Sequence, residues 1–458
     1  MKQTPPSLFF TLVLLMGSIL MAGVILFSPA QSSTQRPTAQ IPIPHSIALS
    51  IKEQKDAAFL PLYEDARDIL VGVRVSFVEA NLDTMKVSTY VKGERKEEIP
   101  ILTKGDPQGW GGSAVGFYKI QSGGPSLFSG VSQVYMPFAL KYYGKYFLHG
   151  IPYDEWGDKL ASDVSGGCLR LPDAQAEALY NAVEVDMPIL VIDKERDEFR
   201  YPDKNARAFP GLTTKNYLVA DLDSGYIFAE RNSMEQRPIA SLTKLMTAVV
   251  AAENIDLRKS IGITGAMLTA HGDTEGLKEG ERYRIVELFY PLLMRSSNDA
   301  AEALAGFLGN TRTIELMNEK ADALLMGDTQ FTDPAGFDDA NISTARDLFY
   351  LGRYIANNRP PLWEISKGLE VRSFGDVRFD LATLENKNIF VNDPTFIGGK
   401  IGYLPASKHT GMFLFELPLE NGDTRRVAIV LLGAPSLENL KGDTQRVYIW
   451  QLKNYFAE

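Results

Sequence analysis

One cysteine in 458 residues leaves no partner for an intramolecular disulfide. Cys168 is therefore either a small buried hydrophobe or a working thiol. Histidine is nearly as scarce. His45, His149, His271 and His409 share no metal-ligand spacing, so neither a metal site nor a cofactor is expected. No basic block interrupts the chain, and the net charge is −10, which argues against a nucleic-acid partner. No internal repeat is visible. What remains is an ordinary globular composition, 45% hydrophobic and 23% charged, over a length that suits two domains.

Long apolar runs are also few, and the one at 7–28 (SLFFTLVLLMGSILMAGVILFS) is long enough to span a bilayer as a helix. It exceeds the usual signal-peptide core and predicts an uncleaved single-pass anchor over 1–28. A processing site after Ser28-Pro29-Ala30 is the alternative. Residues 29–69 read as a spacer, opened by a stretch rich in Pro, Ser, Thr and Gln at 29–46. Short strand-like runs between Gly and Pro clusters fill 70–193, beginning with Leu70–Val78 and including an aromatic strand at Tyr142–Leu148. A helix is expected from Asp173 to Val183, and a closing strand over Pro188–Ile192. The polar stretch 194–208 reads as a linker. From 209 to 458 the pattern is mixed. A hairpin turns at Asp223-Ser224-Gly225. Helices are expected at 241–254, 284–295, 298–308, 313–326 and 343–357. Strands follow at 409–417 and 425–433, then a last helix near 443–456. This order implies a sheet built from both ends of the segment and flanked by helices.

Cys168 lies in Ser165-Gly166-Gly167-Cys168-Leu169-Arg170, after His149-Gly150. A thiolate nucleophile needs a base, often histidine. The glycines let backbone N–H groups approach a developing oxyanion, and Arg170 can pair with a carboxylate. A buried cysteine beside a glycine-rich turn is the plainer alternative, against which the full constellation weighs. The segment 71–193 resembles the L,D-transpeptidase catalytic domain (the YkuD-type family), including Gly116–Ile120, which is similar to its conserved strand. The resemblance implies Cys168 as acyl-accepting nucleophile and His149 as its base, with Ser165, Gly167 and Arg170 shaping the substrate site. Two departures stand out. Gly166 replaces a common histidine, and Ala114-Val115 replaces a Thr-Pro pair.

Ser241 and Lys244 form an S-x-x-K pair opening an apolar run, and three-residue spacing puts both on one helix face. A lysine there can take the hydroxyl proton if it is neutral. Alone the pair is weak, since an N-cap serine and a surface lysine have the same spacing. Ser296-Ser297-Asn298 and Lys400-Ile401-Gly402-Tyr403 strengthen it. In this order the three elements resemble the penicillin-binding proteins and serine β-lactamases. Phe331–Gly336 and Asn341–Asp347 further resemble low-molecular-mass D-alanyl-D-alanine carboxypeptidases, over about 209–458. The resemblance implies Ser241 as nucleophile, Lys244 as base and Ser296 as proton relay. Asn298 and Lys400 would hold the substrate. Gly402 and Tyr403 complete the third element, with the N–H groups of Ser241 and Tyr403 as oxyanion hole. Ile401 stands where that family has Thr or Ser. Its missing hydroxyl predicts a weaker grip on a terminal carboxylate, by about 1.5–3 kcal/mol. Lys408-His409-Thr410-Gly411 is set aside as a misspaced imitation of that element.

The expectation is thus a multidomain chain: a transmembrane helix, a β-rich L,D-transpeptidase-like domain, and an α/β penicillin-binding-protein-like domain with an antiparallel sheet flanked by helices. It predicts a bifunctional enzyme of the bacterial cell membrane, its domains on the extracytoplasmic side. Its partners would be peptidoglycan stem peptides, with β-lactams as covalent inhibitors. A wall-binding scaffold with one or both sites inactive is the alternative, and Gly166 and Ile401 favour it. A β-lactamase is disfavoured because no deacylating acid is identified.

Overall fold

Glycine-punctuated apolar runs pair as strands between Phe77 and Ile192. A computed structural model describes residues 58–160, 165–194, 197–201, 208–268, 276–371, 379–381 and 383–456. The apolar run 7–28, most of the spacer and much of the 194–208 linker lie outside the described residues. No helix among those described is long and apolar enough to cross a membrane.

The first part contains a five-stranded mixed sheet, ordered Glu94–Pro100, Lys86–Val91, Phe77–Asn81, Pro188–Ile192, Gly116–Lys119. Pro188–Ile192 runs parallel to Phe77–Asn81 and antiparallel to Gly116–Lys119. All of its residues are buried, which is why it reads as an unbroken apolar run rather than an alternating one. A second sheet is ordered Ser122–Ser129, Val134–Tyr143, Tyr146–His149, Leu169–Arg170. Its last two strands are parallel and place His149 opposite Arg170.

Three expectations for this part are corrected. The supposed strand Tyr142–Leu148 is the end of one strand and the start of another. The chain reverses at Gly144, whose φ of +48° favours glycine. Leu70–Val78 is not one strand either: a helix spans Tyr63–Gly72 and the strand starts at Phe77. Leu62, Ala66 and Leu70 are buried four residues apart, a helical stripe. The last part of the expected spacer is therefore packed, and Leu60 donates its N–H to Gly225 O at 2.8 Å.

The second part has a five-stranded antiparallel sheet, ordered Ile227–Arg231, Asn216–Asp221, Thr424–Ala434, Lys408–Pro418, Phe396–Leu404. First and last strands of the segment are neighbours, as the pattern implies. Alternation sorts the sheet's two faces. Leu218, Met412, Leu414 and Val430 join the core with Thr243–Asn254 and Ala345–Asn358. Val219, Phe413, Phe415 and Ile429 pack with Leu440 and Val447 of the final helix, Leu437–Tyr455. The helix expected at 284–295 is instead a 3-10 turn, Ile285–Leu288, then a π turn, Pro291–Arg295. Pro291 has no N–H to continue an α ladder. The helix Pro360–Lys367, opened by two prolines, is not anticipated by the pattern.

The two parts meet over a buried charge cluster. Glu253, near the end of the helix Thr243–Asn254, lies 3.1 Å from Lys320 Nζ and 2.9 Å from Arg359 Nη2. All three side chains are fully buried. Lys320 Nζ donates to Tyr118 OH at 2.7 Å, and Arg359 Nη2 to Tyr146 OH at 2.9 Å. Tyr118 and Tyr146 belong to the first part, and Tyr354 OH also donates to Glu253. Removing one member strands the others without water, which typically costs about 3–5 kcal/mol. Arg359→Ala is expected to lower unfolding free energy by about that much, checked by urea denaturation. A loss under 1 kcal/mol, as for about the median surface pair, would show that the cluster is hydrated.

Candidate functional site

The turn Ala240–Leu242 presents Ser241 immediately before the helix Thr243–Asn254, where the helix dipole favours negative charge. Lys244 Nζ lies 3.0 Å from Ser241 Oγ, 2.7 Å from Asn298 Oδ1 and 2.5 Å from Ala335 O. The last two oxygens only accept. Of these three contacts, only the one to Ser241 can carry its proton on either side. A neutral Lys244 donates to both carbonyls and turns its lone pair to the serine hydroxyl, the geometry of a general base.

Asn298 and Ser296 reach the site through a strained corner. Ser296 ends the π turn at φ +64°, and Ser297 caps the helix Asn298–Leu308 by accepting from Ala300 N. Lys400 Nζ donates to Ser296 Oγ at 2.8 Å and to Ile401 O at 2.8 Å. Burial, then the charges of Lys244 and Lys387, push Lys400 well below the usual lysine range. Two buried lysines thus flank two serines, and their proximity disfavours double protonation.

Gly402 closes the site from the strand Phe396–Leu404. A Cβ there would lie 2.8 Å from Ser241 N, so only glycine lets the strand approach the nucleophile's amide. Tyr403 is 57% exposed, paired opposite His409 with the rings 4.5 Å apart. Ile401 alternates to the other sheet face from Lys400 and packs against the cluster under the final helix.

Several contributors escaped the motif reading. Ala335 O is one. Its loop is held by Asp333, which accepts from the N–H groups of Ala335, Gly336 and Asp338 and from Asn341 Nδ2. Gly336 touches the serine turn so closely that a Cβ would sit 2.0 Å from Ala240 O. The run Phe331–Gly336 carried that signal, as an Asx-type turn before a glycine. Thr410, inside the segment set aside as an imitation, is fully buried and donates to Ile239 O at 3.2 Å. It supports the turn just before Ser241.

The thiol site is a separate cleft of about 600 Å³, lined by His149, Ser165, Gly166, Cys168 and Arg170. His149 is buried and pairs its Nδ1 with Gly150 O at 2.6 Å. A carbonyl only accepts, so Nδ1 carries the proton and Nε2 is the basic nitrogen. Burial pushes the His149 imidazole down to about 4. Burial likewise pushes the Cys168 thiol up to about 11, against the smaller pull of Lys145 and Arg170. Both groups are thus neutral at rest, and the thiol donates to Lys145 O at 3.6 Å. Ser165 is a turn-holder: its Oγ donates to Cys168 O at 2.5 Å and accepts from Gly167 N at 3.1 Å. Gly167 has φ +113°, and a Cβ there would meet the Tyr146 ring at 2.3 Å. A Cβ at Gly166 meets nothing within 4 Å, so packing does not require glycine there.

The serine constellation sets lysines, rather than a histidine, beside the serine hydroxyls. Residues 203–436 match the family model of D-alanyl-D-alanine carboxypeptidase, and residues 76–191 that of the L,D-transpeptidase catalytic domain. The chain belongs to the D-alanyl-D-alanine carboxypeptidase family, with an L,D-transpeptidase catalytic domain fused in front. It is 32% identical over 205 residues to D-alanyl-D-alanine carboxypeptidase DacB2 of Mycobacterium tuberculosis, covering 44% of this chain and 70% of that one. It is 32% identical over 195 residues to a D-alanyl-D-alanine endopeptidase of Pseudomonas aeruginosa, covering 40% and 61%. A solved D-alanyl-D-alanine carboxypeptidase from Mycobacterium tuberculosis H37Rv superposes with a TM-score of 0.48 at 28% identity, over 56% of this chain and 96% of that one.

Two outcomes test this geometry. Gly402→Ala is expected to slow acylation of Ser241 by a fluorescent penicillin about a hundredfold, the usual effect of spoiling an oxyanion donor. Iodoacetamide labelling of Cys168 is expected to rise with pH to a half-maximum at about 11, against about 9 for the unfolded chain. The sign follows because only the thiolate reacts and burial disfavours it. A midpoint near neutrality would instead show a thiolate already activated by His149.

Proposed function

We propose that this protein is a bifunctional peptidoglycan-modifying enzyme. Its serine site would work as a D-Ala-D-Ala carboxypeptidase or endopeptidase, and its thiol site as an L,D-transpeptidase forming stem-peptide cross-links. The observation that carries the serine assignment is Lys244 Nζ, bonded at once to Ser241 Oγ, Asn298 Oδ1 and Ala335 O. In this reading Ser241 Oγ loses its proton to Lys244 and attacks the carbonyl carbon of the D-Ala-D-Ala bond. The N–H groups of Ser241 and Tyr403 hold the oxyanion. Ser296 passes a proton to the departing amine, leaving an ester that water cleaves. At the second site Cys168 loses its proton to His149 Nε2 as it attacks the stem-peptide carbonyl that bears the terminal D-Ala; that D-Ala leaves as its amine, taking the proton from His149, and a thioester remains. An amine of another stem then displaces the thiol.

The two activities suit one chain. Removing a terminal D-Ala makes a tetrapeptide, the donor such a thiol enzyme uses, and tethering raises its local concentration. The apolar run 7–28 supports a membrane anchor with both domains, over 70–193 and 209–458, outside the bacterial membrane. A second reading, a scaffold with a silent thiol site, is favoured by the neutral resting state of Cys168 and His149.

Mass spectrometry of muropeptides decides between them. Wild type is expected to yield tetrapeptides and new cross-links. Ser241→Ala should lose the trimming, and Cys168→Ala the cross-links. Trimming without cross-links, together with failure of a carbapenem to acylate Cys168, would support the scaffold reading of that site. Failure of a fluorescent penicillin to label Ser241 would sink the serine assignment. Because Ile401 packs on the sheet face away from Lys400, Ile401→Thr is expected to change carboxypeptidase kcat/KM by less than about twofold, measured as released D-Ala; a rise of about tenfold would show that this side chain reaches the substrate carboxylate.

A further inference from the structure

The thiol cleft is not built by the first part alone. One wall comprises Ile255, Asp256, Leu257 and Arg258, the segment that follows the serine-bearing helix Thr243–Asn254. This wall is anchored. Leu257 is buried, and Asn254 Nδ2 donates to Tyr143 OH at 3.5 Å across the junction. Arg258 grips Asp256 with two parallel bonds of 2.9 Å, from Nε to Oδ1 and from Nη2 to Oδ2. Its Nη1 amino group lies outside that pair, and the side chain is 57% exposed.

The charges lining the cleft are unequal. Among the described lining residues Lys145, Arg170 and Arg258 are cations, and Asp256, already engaged by Arg258, is the carboxylate. Much of the remaining lining is apolar, including Leu127, Phe128 and Met136. A cleft with surplus positive charge between apolar walls favours a ligand that brings its own carboxylate. Arg170 shares a pleat position with His149 and stands near the reacting thiol. Arg258 comes from the serine-peptidase part, so it addresses a different portion of the ligand. A guanidinium fixed by a bidentate partner is pre-organised for a second carboxylate.

We propose that Arg258, supplied by the serine-peptidase part, is a specificity-determining residue of the thiol site, reading a carboxylate on the incoming stem peptide. This rests on the reading that stem peptides acylate Cys168. It means that substrate choice at one site is set by the segment that ends the other site's helix.

The test uses the full chain in a Ser241→Ala background, so that the peptides are not trimmed. Synthetic tetrapeptide stems are compared in which each carboxylate in turn is replaced by a carboxamide. Formation of the Cys168 thioester is followed by intact mass. One replacement is expected to slow acylation about fivefold, the scale of a well-formed exposed ion pair. Arg258→Ala should bring that ratio close to one, and Arg258→Lys should retain part of it. Thermal melting verifies that each variant is folded. A ratio unchanged in Arg258→Ala, or equal slowing of all peptides, would overturn the proposal and leave the transpeptidase reading standing. No thioester with any peptide in the Arg258-containing protein, while a carbapenem still acylates Cys168, would overturn both.

Discussion

Glu253 is a carboxylate without access to water, and much of the molecule is arranged to make that tolerable. A buried charge persists only when paired and hydrogen-bonded. Lys320 and Arg359 supply the pairing, and each also donates to a phenol of the first part. Neither cation could stay buried without the acid, whereas Tyr118 also donates its hydroxyl to Val115 O at 2.9 Å. The cluster therefore specifies how the two parts meet more sharply than apolar contact would. Around it the junction is apolar, with Trp110 stacked on Phe289 at 5.4 Å.

The helix that carries Glu253 also carries Lys244. The two are about 13 Å apart along its axis, at 1.5 Å per residue. Its first turn positions the serine nucleophile, and the segment beyond its last turn walls the thiol cleft. Arg359 then extends the connection. It holds Tyr146, and the ring of Tyr146 sets the room available to Gly167, beside Cys168. A rigid element thus sets the distance between two chemistries of different type.

The two nucleophiles rest in opposite states of readiness. Lys244 has acceptors for its protons and a serine in reach, so its surroundings are pre-organised for proton transfer. Cys168 and His149 are both held neutral by burial, which outweighs the pull of Lys145 and Arg170 on the thiol. The open space beside Gly166 is where the family's common histidine would otherwise stand.

Local chemistry made both nucleophiles legible in the sequence. Ser241 with Lys244, and Cys168 with Arg170, are close along the chain, so spacing alone places them together. Buried apolar strands and the chain-end sheet were legible for the same reason, because their periodicity is local. The turn at Gly144 was missed because aromatic residues run on through it. The helix Tyr63–Gly72 was missed because its short buried stripe sits in a polar context. Asp333, Ala335 and Thr410 act through backbone atoms and turns, which leave little mark in a motif. The sequence by itself marked which side chains are the candidates for chemistry. Tertiary structure decided what surrounds them, because Glu253, Lys320 and Arg359 acquire meaning only when folding removes water from all three at once. It likewise carried Arg258 from the end of the serine helix to the wall of the thiol cleft, a placement that no local pattern encodes.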